Sequence, residues 1–359
     1  MQNAIRRIWK GEAKYIKFIL YIPLFFLSYL YGKCLLLRKY MYKTGMMKVE
    51  EAPIPVVSIG NISLGGTGKT PIVEKLATEL KKEGFNPGII TRGYKRKRKG
   101  IFSIDAGKDS AEDVGDEAIM LAKKGQCPVI VSINRARAID EGIKTFKMDV
   151  ALLDDGFQLR NIKKDIEILI LNGKECGENN ALFPLGLYRE PFERIKEADI
   201  ILVNKGDLDN DTKDITKGIP AFKVKYKPAY LYNLRHNLIA NYNFLKGKNV
   251  LVFSGLGDNE SFFNLLRDLG ANVIHEIAYP DHYAYKQKDI ERGSSFEDTD
   301  VIVTTEKDAV KIVNMEVPEN LFYLSIEVVI EREQELLELI MKKLLALSHQ
   351  PSARSKKVE

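Results

Sequence analysis

From Pro53 onward, short apolar runs alternate with stretches whose apolar residues recur at helical spacing, the pattern of parallel strands joined by crossover helices. The apolar runs fall at residues 54–59, 88–91, 128–132, 150–153, 166–171 and 200–203, and six such strands predict a complete doubly wound domain. Residues 221–234, AFKVKYKPAYLYNL, alternate apolar and basic positions around Pro228 and read as an extended connector at a domain boundary. A second, smaller α/β unit is expected beyond it, with strands at 249–254, 272–277, 300–304 and 321–330 and helices at about 260–269 and 335–347. The polar tail, 348–359, is expected to be disordered.

Ahead of the first strand, residues 18–32 read FILYIPLFFLSYLYG, uncharged and apolar on every helical face. Arg6, Arg7, Lys10, Lys14 and Lys17 precede the run, and Lys33, Arg38 and Lys39 follow it. A membrane-spanning helix needs about 20 apolar residues, and this run is shorter and holds Pro23 near its middle. A secretory signal would need a small-residue cleavage site, where this chain continues with Tyr29, Leu30 and Tyr31. The expectation is an amphipathic or shallowly inserted anchor whose Lys and Arg meet anionic headgroups. A buried core helix is the alternative. The resulting division is an N-terminal membrane-associated segment at 1–48, a nucleotide-binding domain at 49–220, a linker at 221–235, a C-terminal α/β domain at 236–347 and the tail.

Composition narrows the function classes. With 359 residues, 45% of them hydrophobic, the chain holds enough material for two domains, which excludes disorder throughout. The formal charge of +6, from 55 Lys and Arg against 49 Asp and Glu, favours an anionic partner. No zinc finger or aromatic RNA-binding signature accompanies it, so the expected partners are a nucleotide, a phospholipid surface or a phosphorylated substrate, and no nucleic acid. Cys34, Cys127 and Cys176 lie far apart without a CxxC pair, so neither a disulfide framework nor a zinc site is expected, and a reducing cytosolic compartment follows.

The first strand leads into Gly60-Asn61-Ile62-Ser63-Leu64-Gly65-Gly66-Thr67-Gly68-Lys69-Thr70, followed by a helical stretch with Ile72, Val73, Leu76 and Leu80 on one face. Strand, glycine-rich loop and helix stand in the order of a phosphate-binding loop. Glycines let successive backbone N–H groups curl around phosphate oxygens, and the helix start adds positive potential. Lys69 then reaches the terminal phosphates of ATP and the Thr70 hydroxyl takes Mg²⁺, while Pro71 suits a first helical turn. Ser63, Gly65, Gly66, Thr67, Gly68, Lys69 and Thr70 are therefore the expected nucleotide-binding residues, although Ser63 stands where the strict GxxxxGK[ST] pattern has glycine. The acids needed to hold the metal are supplied by Asp154 and Asp155, ending the apolar run 150–153 in a Walker B arrangement. Asn204-Lys205-Gly206-Asp207 imitates the guanine-reading NKxD, but the other GTPase switch motifs are not apparent.

Seven stretches in order, GNISLGGTGKTP, TRGYKRK (91–97), GDEA (115–118), DDGFQ (154–158), PLGLYREP (184–191), YPDHYAY (279–285) and TTEKDAVK (304–311), resemble the tetraacyldisaccharide 4'-kinase family over nearly the whole chain. The resemblance implies a P-loop NTPase-like doubly wound, mostly parallel sheet and transfer of the ATP γ-phosphate to the 4'-hydroxyl of a tetraacylated disaccharide 1-phosphate. The product would be lipid IVA, a lipid A precursor, made at the cytoplasmic face of the bacterial inner membrane. It further implies that Asp116 is the catalytic carboxylate and His282 its partner, that Glu117 joins Asp154 and Asp155 in serving metal and phosphates, and that Arg189 neutralises the transferred group. Arg92, Tyr94 and the basic run through Lys99 would meet the acceptor headgroup and the membrane. Leu159 stands where the family commonly has His after DDGFQ, which puts any substrate contact of that His in doubt here.

Plainer readings exist for each residue: Asp116 and Glu117 as decoration of a solvated helix start, His282 as a loop histidine, Arg189 paired with Glu190 or Glu193 on the surface. A membrane-associated GTPase, a kinase for another sugar lipid and a non-enzymatic scaffold are the rival functions. Because His282 and Asp116 fall in different predicted domains, a cleft that closes on substrate is expected.

Overall fold

The structure, a computed structural model, describes residues 14–65, 68–174, 176, 181–236, 238–294 and 296–348. Gly66 and Thr67 of the glycine-rich loop, Arg6, Arg7 and Lys10 before the apolar run, and the tail beyond Ser348 lie outside the described residues.

In chain order the regular elements are α1 (Lys14–Lys43), β1 (Val56–Gly60), α2 (Lys69–Lys82), β2 (Pro87–Thr91), β3 (Phe102–Ser103), α3 (Ala111–Val114), α4 (Asp116–Lys123), β4 (Val129–Val131), α5 (Arg135–Phe146), β5 (Val150–Asp154), β6 (Ile166–Asn172) and β7 (Ile200–Asn204). They continue with α6 (Asn210–Ile215), β8 (Ala221–Asn233), β9 (Ile239–Asn241), β10 (Asn249–Ser254), α7 (Asn259–Asp268), β11 (Asn272–Ala278), α8 (Gln287–Ser294), β12 (Val301–Thr305), α9 (Glu306–Ile312), β13 (Leu321–Ile330) and α10 (Glu333–Ser348). All ten strands read from apolar runs are present, and the class is α/β with mostly parallel strands.

The chain divides into two compact units, one built from Met1–Lys69, Met148–Val224 and Ile330–Glu359, the other from Thr70–Lys147 and Lys225–Val329. They interleave along the sequence and do not follow the division at 221–235. Asp116 and His282 belong to the same unit, so the ground for a cleft closing between them falls away. The supposed connector is a strand, β8, whose residues Ala221–Val224 pair parallel with β7 and whose residues Tyr230–Tyr232 pair antiparallel with β9. Apolar and basic alternation is itself a strand signal.

In the first unit five strands stand in the order β8-β7-β6-β1-β5, every pair parallel. Val57 of β1 faces Leu152 of β5 on one side and Ile166 of β6 on the other. β1, β5 and β7 are buried at every position, which is why they read as continuous apolar runs. Beside them Ile62, Phe157, Leu169, Tyr188, Phe192 and Ile201 form a contiguous core.

Helix α1 also belongs to this unit, and it continues past the apolar run at 18–32. It runs 30 residues with Pro23 inside it. The basic residues after the apolar run do not end it: Leu35 is buried against the body, Arg38 pairs with Glu190 at 2.7 Å and Lys39 with Glu197 at 3.4 Å. Ser28 donates to the Leu182 carbonyl and Tyr31 to the Arg189 carbonyl, each at 2.8 Å. The buried-helix alternative fails, since Ile22 is 78% and Phe26 63% exposed.

In the second unit β2 pairs parallel with β4, and β3 antiparallel with β4. A further set stands in the order β11-β10-β12-β13, parallel throughout. Helix α9 follows β12 directly and packs on α4, bringing residues 306–312 against residues 116–123.

Candidate active site

The glycine-rich loop leaves β1 and enters α2 at Lys69. Gly65 and Gly68 take φ of 122° and 70°, a backbone that a side chain would strain. Ser63, at the position where the strict pattern has glycine, forms a bridge with Tyr188. Its neighbours extend that pairing: Leu64 N–H donates to the Leu187 carbonyl at 2.7 Å and Arg189 N–H to the Ile62 carbonyl at 2.8 Å. This short ladder delivers the Arg189 side chain to the loop.

The guanidinium of Arg189 forks onto the Asp155 carboxylate, at 3.0 Å from Nη1 to Oδ2 and 2.5 Å from Nη2 to Oδ1, and also contacts Asn61 Oδ1. Lys69 Nζ lies 3.6 Å from Asp155 Oδ1 and 3.4 Å from Asn61 Oδ1. Two cations thus share one carboxylate. Burial alone would raise the Asp155 carboxyl, but the charges of Lys69 and Arg189 outweigh it and hold it at about 2. Lys69 and Arg189 together carry one positive charge beyond what Asp155 neutralises. The surface-pair reading of Arg189 is wrong: Glu190 is buried and pairs with Arg38 and Arg194 instead. Asp154 ends β5 and is buried; Thr70 is buried in the first turn of α2. Among the described residues no three carboxylates, imidazoles or thiols come together to hold a metal ion by themselves.

A second cluster lies in the other unit. Asp116 is the first residue of α4, and Gly115 before it has φ 99°, with the space for a Cβ taken by the Tyr94 carbonyl at 2.9 Å. Only glycine lets the 93–94 turn approach so closely. Tyr94 is thereby set against His282, ring centroids 5.0 Å apart. Asp116 is buried, and its Oδ2 lies 2.8 Å from His282 Nδ1 while Oδ1 accepts the Glu117 N–H at 3.0 Å. His282 holds a left-handed backbone, φ 57°. Burial pushes the Asp116 carboxyl up, but the His282 hydrogen bond and the charges of Lys307 and Lys311 bring it to about 2. The solvated-helix-start and loop-histidine readings both fail on this geometry. Arg92, like Lys95 and Lys97–Lys99, is exposed on the same loop.

Residues 20–345 match the family model of the tetraacyldisaccharide-1-P 4'-kinases (LpxK). The chain belongs to this family. Among curated members, tetraacyldisaccharide 4'-kinase of Aquifex aeolicus is 35% identical over 319 residues, covering 88% of this chain and 96% of that protein. The Coxiella burnetii 4'-kinase is 34% identical over 306 residues, 84% of this chain and 85% of that one. A crystal structure of Aquifex aeolicus LpxK in complex with ATP superposes with a TM-score of 0.74 at 34% identity, covering 92% of this chain and 99% of that one.

In this member of the 4'-kinase family, the residues that sequence reasoning missed are those whose partners come from elsewhere in the chain. Asn61 sits inside the quoted loop and accepts from both Lys69 and Arg189. Lys307 and Lys311 sit in the quoted stretch TTEKDAVK, and their i, i+4 spacing on a helix was the available signal that both face one side. Lys307 Nζ lies 3.4 Å from Glu117, 3.3 Å from Asp281 and 3.3 Å from His282 Nε2; Lys311 Nζ lies 2.9 Å from Asp308 and 3.6 Å from Asp116. Asp308 is fully buried and also exchanges hydrogen bonds with Thr305, the N-cap of α9. Asp207 of the NKxD look-alike pairs with Lys223.

Proposed function

We propose that this chain transfers the γ-phosphate of ATP to the 4'-hydroxyl of a tetraacyldisaccharide 1-phosphate, yielding lipid IVA. The observation that carries the reading is the buried Asp116, kept ionised and hydrogen-bonded to His282. A sugar hydroxyl is a weak nucleophile until a positioned base accepts its proton. The acceptor O–H breaks, its proton passes to Asp116, the oxygen bonds to phosphorus, and the electron pair of the broken phosphoanhydride leaves on ADP. Loop N–H groups from Gly65 to Gly68, with Lys69, hold the phosphates, and Arg189 offsets charge on the group in transfer.

The oxygen donors available to Mg²⁺ fit that ion, which keeps several waters and binds through one or two carboxylates plus substrate phosphates. Asp154, at the end of β5, is the carboxylate that would hold it. Asp155 and Glu117, the other expected carboxylates, are engaged here by Arg189 and Lys69 and by Lys307. Mg²⁺ when bound would neutralise phosphate charge. Tyr94 and Arg92 are read as contacts of the acceptor headgroup, with Tyr94 packed on His282.

Membrane association through α1 is part of the same reading, at the cytoplasmic face where ATP is available. The helix is long and apolar enough to cross a bilayer by length and composition. From Ser28 onward, however, it is tied to the protein body. The test is an ATP-dependent assay on tetraacyldisaccharide 1-phosphate in mixed micelles, reading the position of the new phosphate. Phosphorylation at the 4'-position is expected; transfer elsewhere, or marked preference for GTP, would overturn the proposal.

A further inference from the structure

We propose that Lys307 is a positioning residue that fixes the tautomer of His282, so that the imidazole serves Asp116 as a hydrogen-bond donor and not as a proton relay. This rests on the reading of Asp116 as the base. The argument is a count of protons. A lysine ammonium has three donors and no acceptor. Three acceptors surround Lys307 Nζ at hydrogen-bonding distance: Glu117 Oε1 at 3.4 Å, Asp281 Oδ1 at 3.3 Å and His282 Nε2 at 3.3 Å. Asp116 Oδ2, at 4.0 Å, completes the ion-pair shell. Facing a group that can only donate, His282 Nε2 must present its lone pair.

The single imidazole proton of the neutral ring then sits on Nδ1, 2.8 Å from Asp116 Oδ2, and donates to it. The competing tautomer is disfavoured by the same geometry, since it would aim Nε2–H at the ammonium and turn the Nδ1 lone pair toward a carboxylate. Asp281 does not rescue it, since it stands 3.8 Å from Nε2, beyond a hydrogen bond, with Lys307 closer to both groups.

The consequence is a division of labour. Asp116 Oδ1 is held by the Glu117 N–H and Oδ2 by the His282 Nδ1–H, so the carboxylate cannot swing, and its remaining lone pairs are left to take the acceptor's proton. Lys311, tied to the buried Asp308, supports the same carboxylate from the next turn of α9.

The experiment uses the full chain in detergent micelles with ¹⁵N-labelled histidine; the sequence has four histidines, and the His282 ring is identified from the spectrum of His282→Gln. The wild type should show His282 with an unprotonated Nε2 and a protonated Nδ1. In Lys307→Met, Nε2 should become partly protonated and kcat should fall roughly 10- to 100-fold, part of the contribution of a positioned base, with KM for ATP and lipid unchanged. Lys307→Arg, also cationic and donor-only, should restore the tautomer and bring kcat to within about tenfold of wild type. A protonated Nε2 in the wild type overturns the proposal, as does Lys307→Met with unaltered tautomer and kcat. Should Lys307→Met not fold, the wild-type spectrum and the arginine variant decide. Undiminished transfer by Asp116→Ala would instead overturn the reading of Asp116 while leaving the tautomer result standing.

Discussion

His282 Nδ1 meets Asp116 Oδ2 at 2.8 Å across 166 positions of sequence, within one compact unit. A pair that acts together is not additive when dismantled. Asp116→Ala should lower kcat by about 10²- to 10⁴-fold with nucleotide binding retained, and His282→Ala by less. The double variant should be no slower than Asp116→Ala. Losses that multiply in a steady-state assay would mean that the two residues work independently.

Arg189 holds Asp155 with two nitrogens and Asn61 with one of them, a fork that lysine cannot reproduce. Arg189→Lys should therefore slow transfer nearly as much as Arg189→Ala, by at least about tenfold. Tyr31→Phe removes only the hydrogen bond to the Arg189 carbonyl, a loss of about 1 kcal/mol. Its effect on kcat should be smaller than that of either Arg189 substitution. An Arg189→Lys enzyme of wild-type kcat would show that charge suffices.

Acid should weaken the fold through Asp116, whose carboxyl is held at about 2 against an ordinary value of 3.8. A depressed carboxylate lends stability that is fully present above the unfolded value and is lost as pH falls through the folded one. Between about pH 4 and pH 2 the wild type should lose on the order of 2 kcal/mol relative to Asp116→Asn, in urea unfolding at stepped pH. Parallel pH profiles for the two proteins would contradict the pairing.

Phe25 and Phe26 are 53% and 63% exposed on α1. If this stretch enters a leaflet, each aromatic buried there contributes about 2 kcal/mol. Phe25→Ser with Phe26→Ser should then lower binding to anionic phospholipid vesicles by tenfold or more in sedimentation, with the fold unchanged by circular dichroism. Unaltered binding would remove this part of the helix from the membrane contact.

Local chemistry was enough to read the strands, the glycine-rich loop and the acids ending β5, because apolar runs, glycine density and the strand-to-helix order are written in consecutive residues. Quoted motifs likewise held Asp116, His282 and Arg189. Tertiary packing alone decided the rest. It folded the supposed connector into β8, ran α1 on past its basic residues by giving Arg38 and Lys39 buried and surface partners, and set Lys307 and Lys311 beside acids some 190 residues away. An ion pair between distant segments leaves no periodicity in either one, since each lysine alone reads as an ordinary exposed helix residue. Only the docking of α9 on α4 shows which charges meet, and that docking is settled by core shape, which no short window of sequence contains.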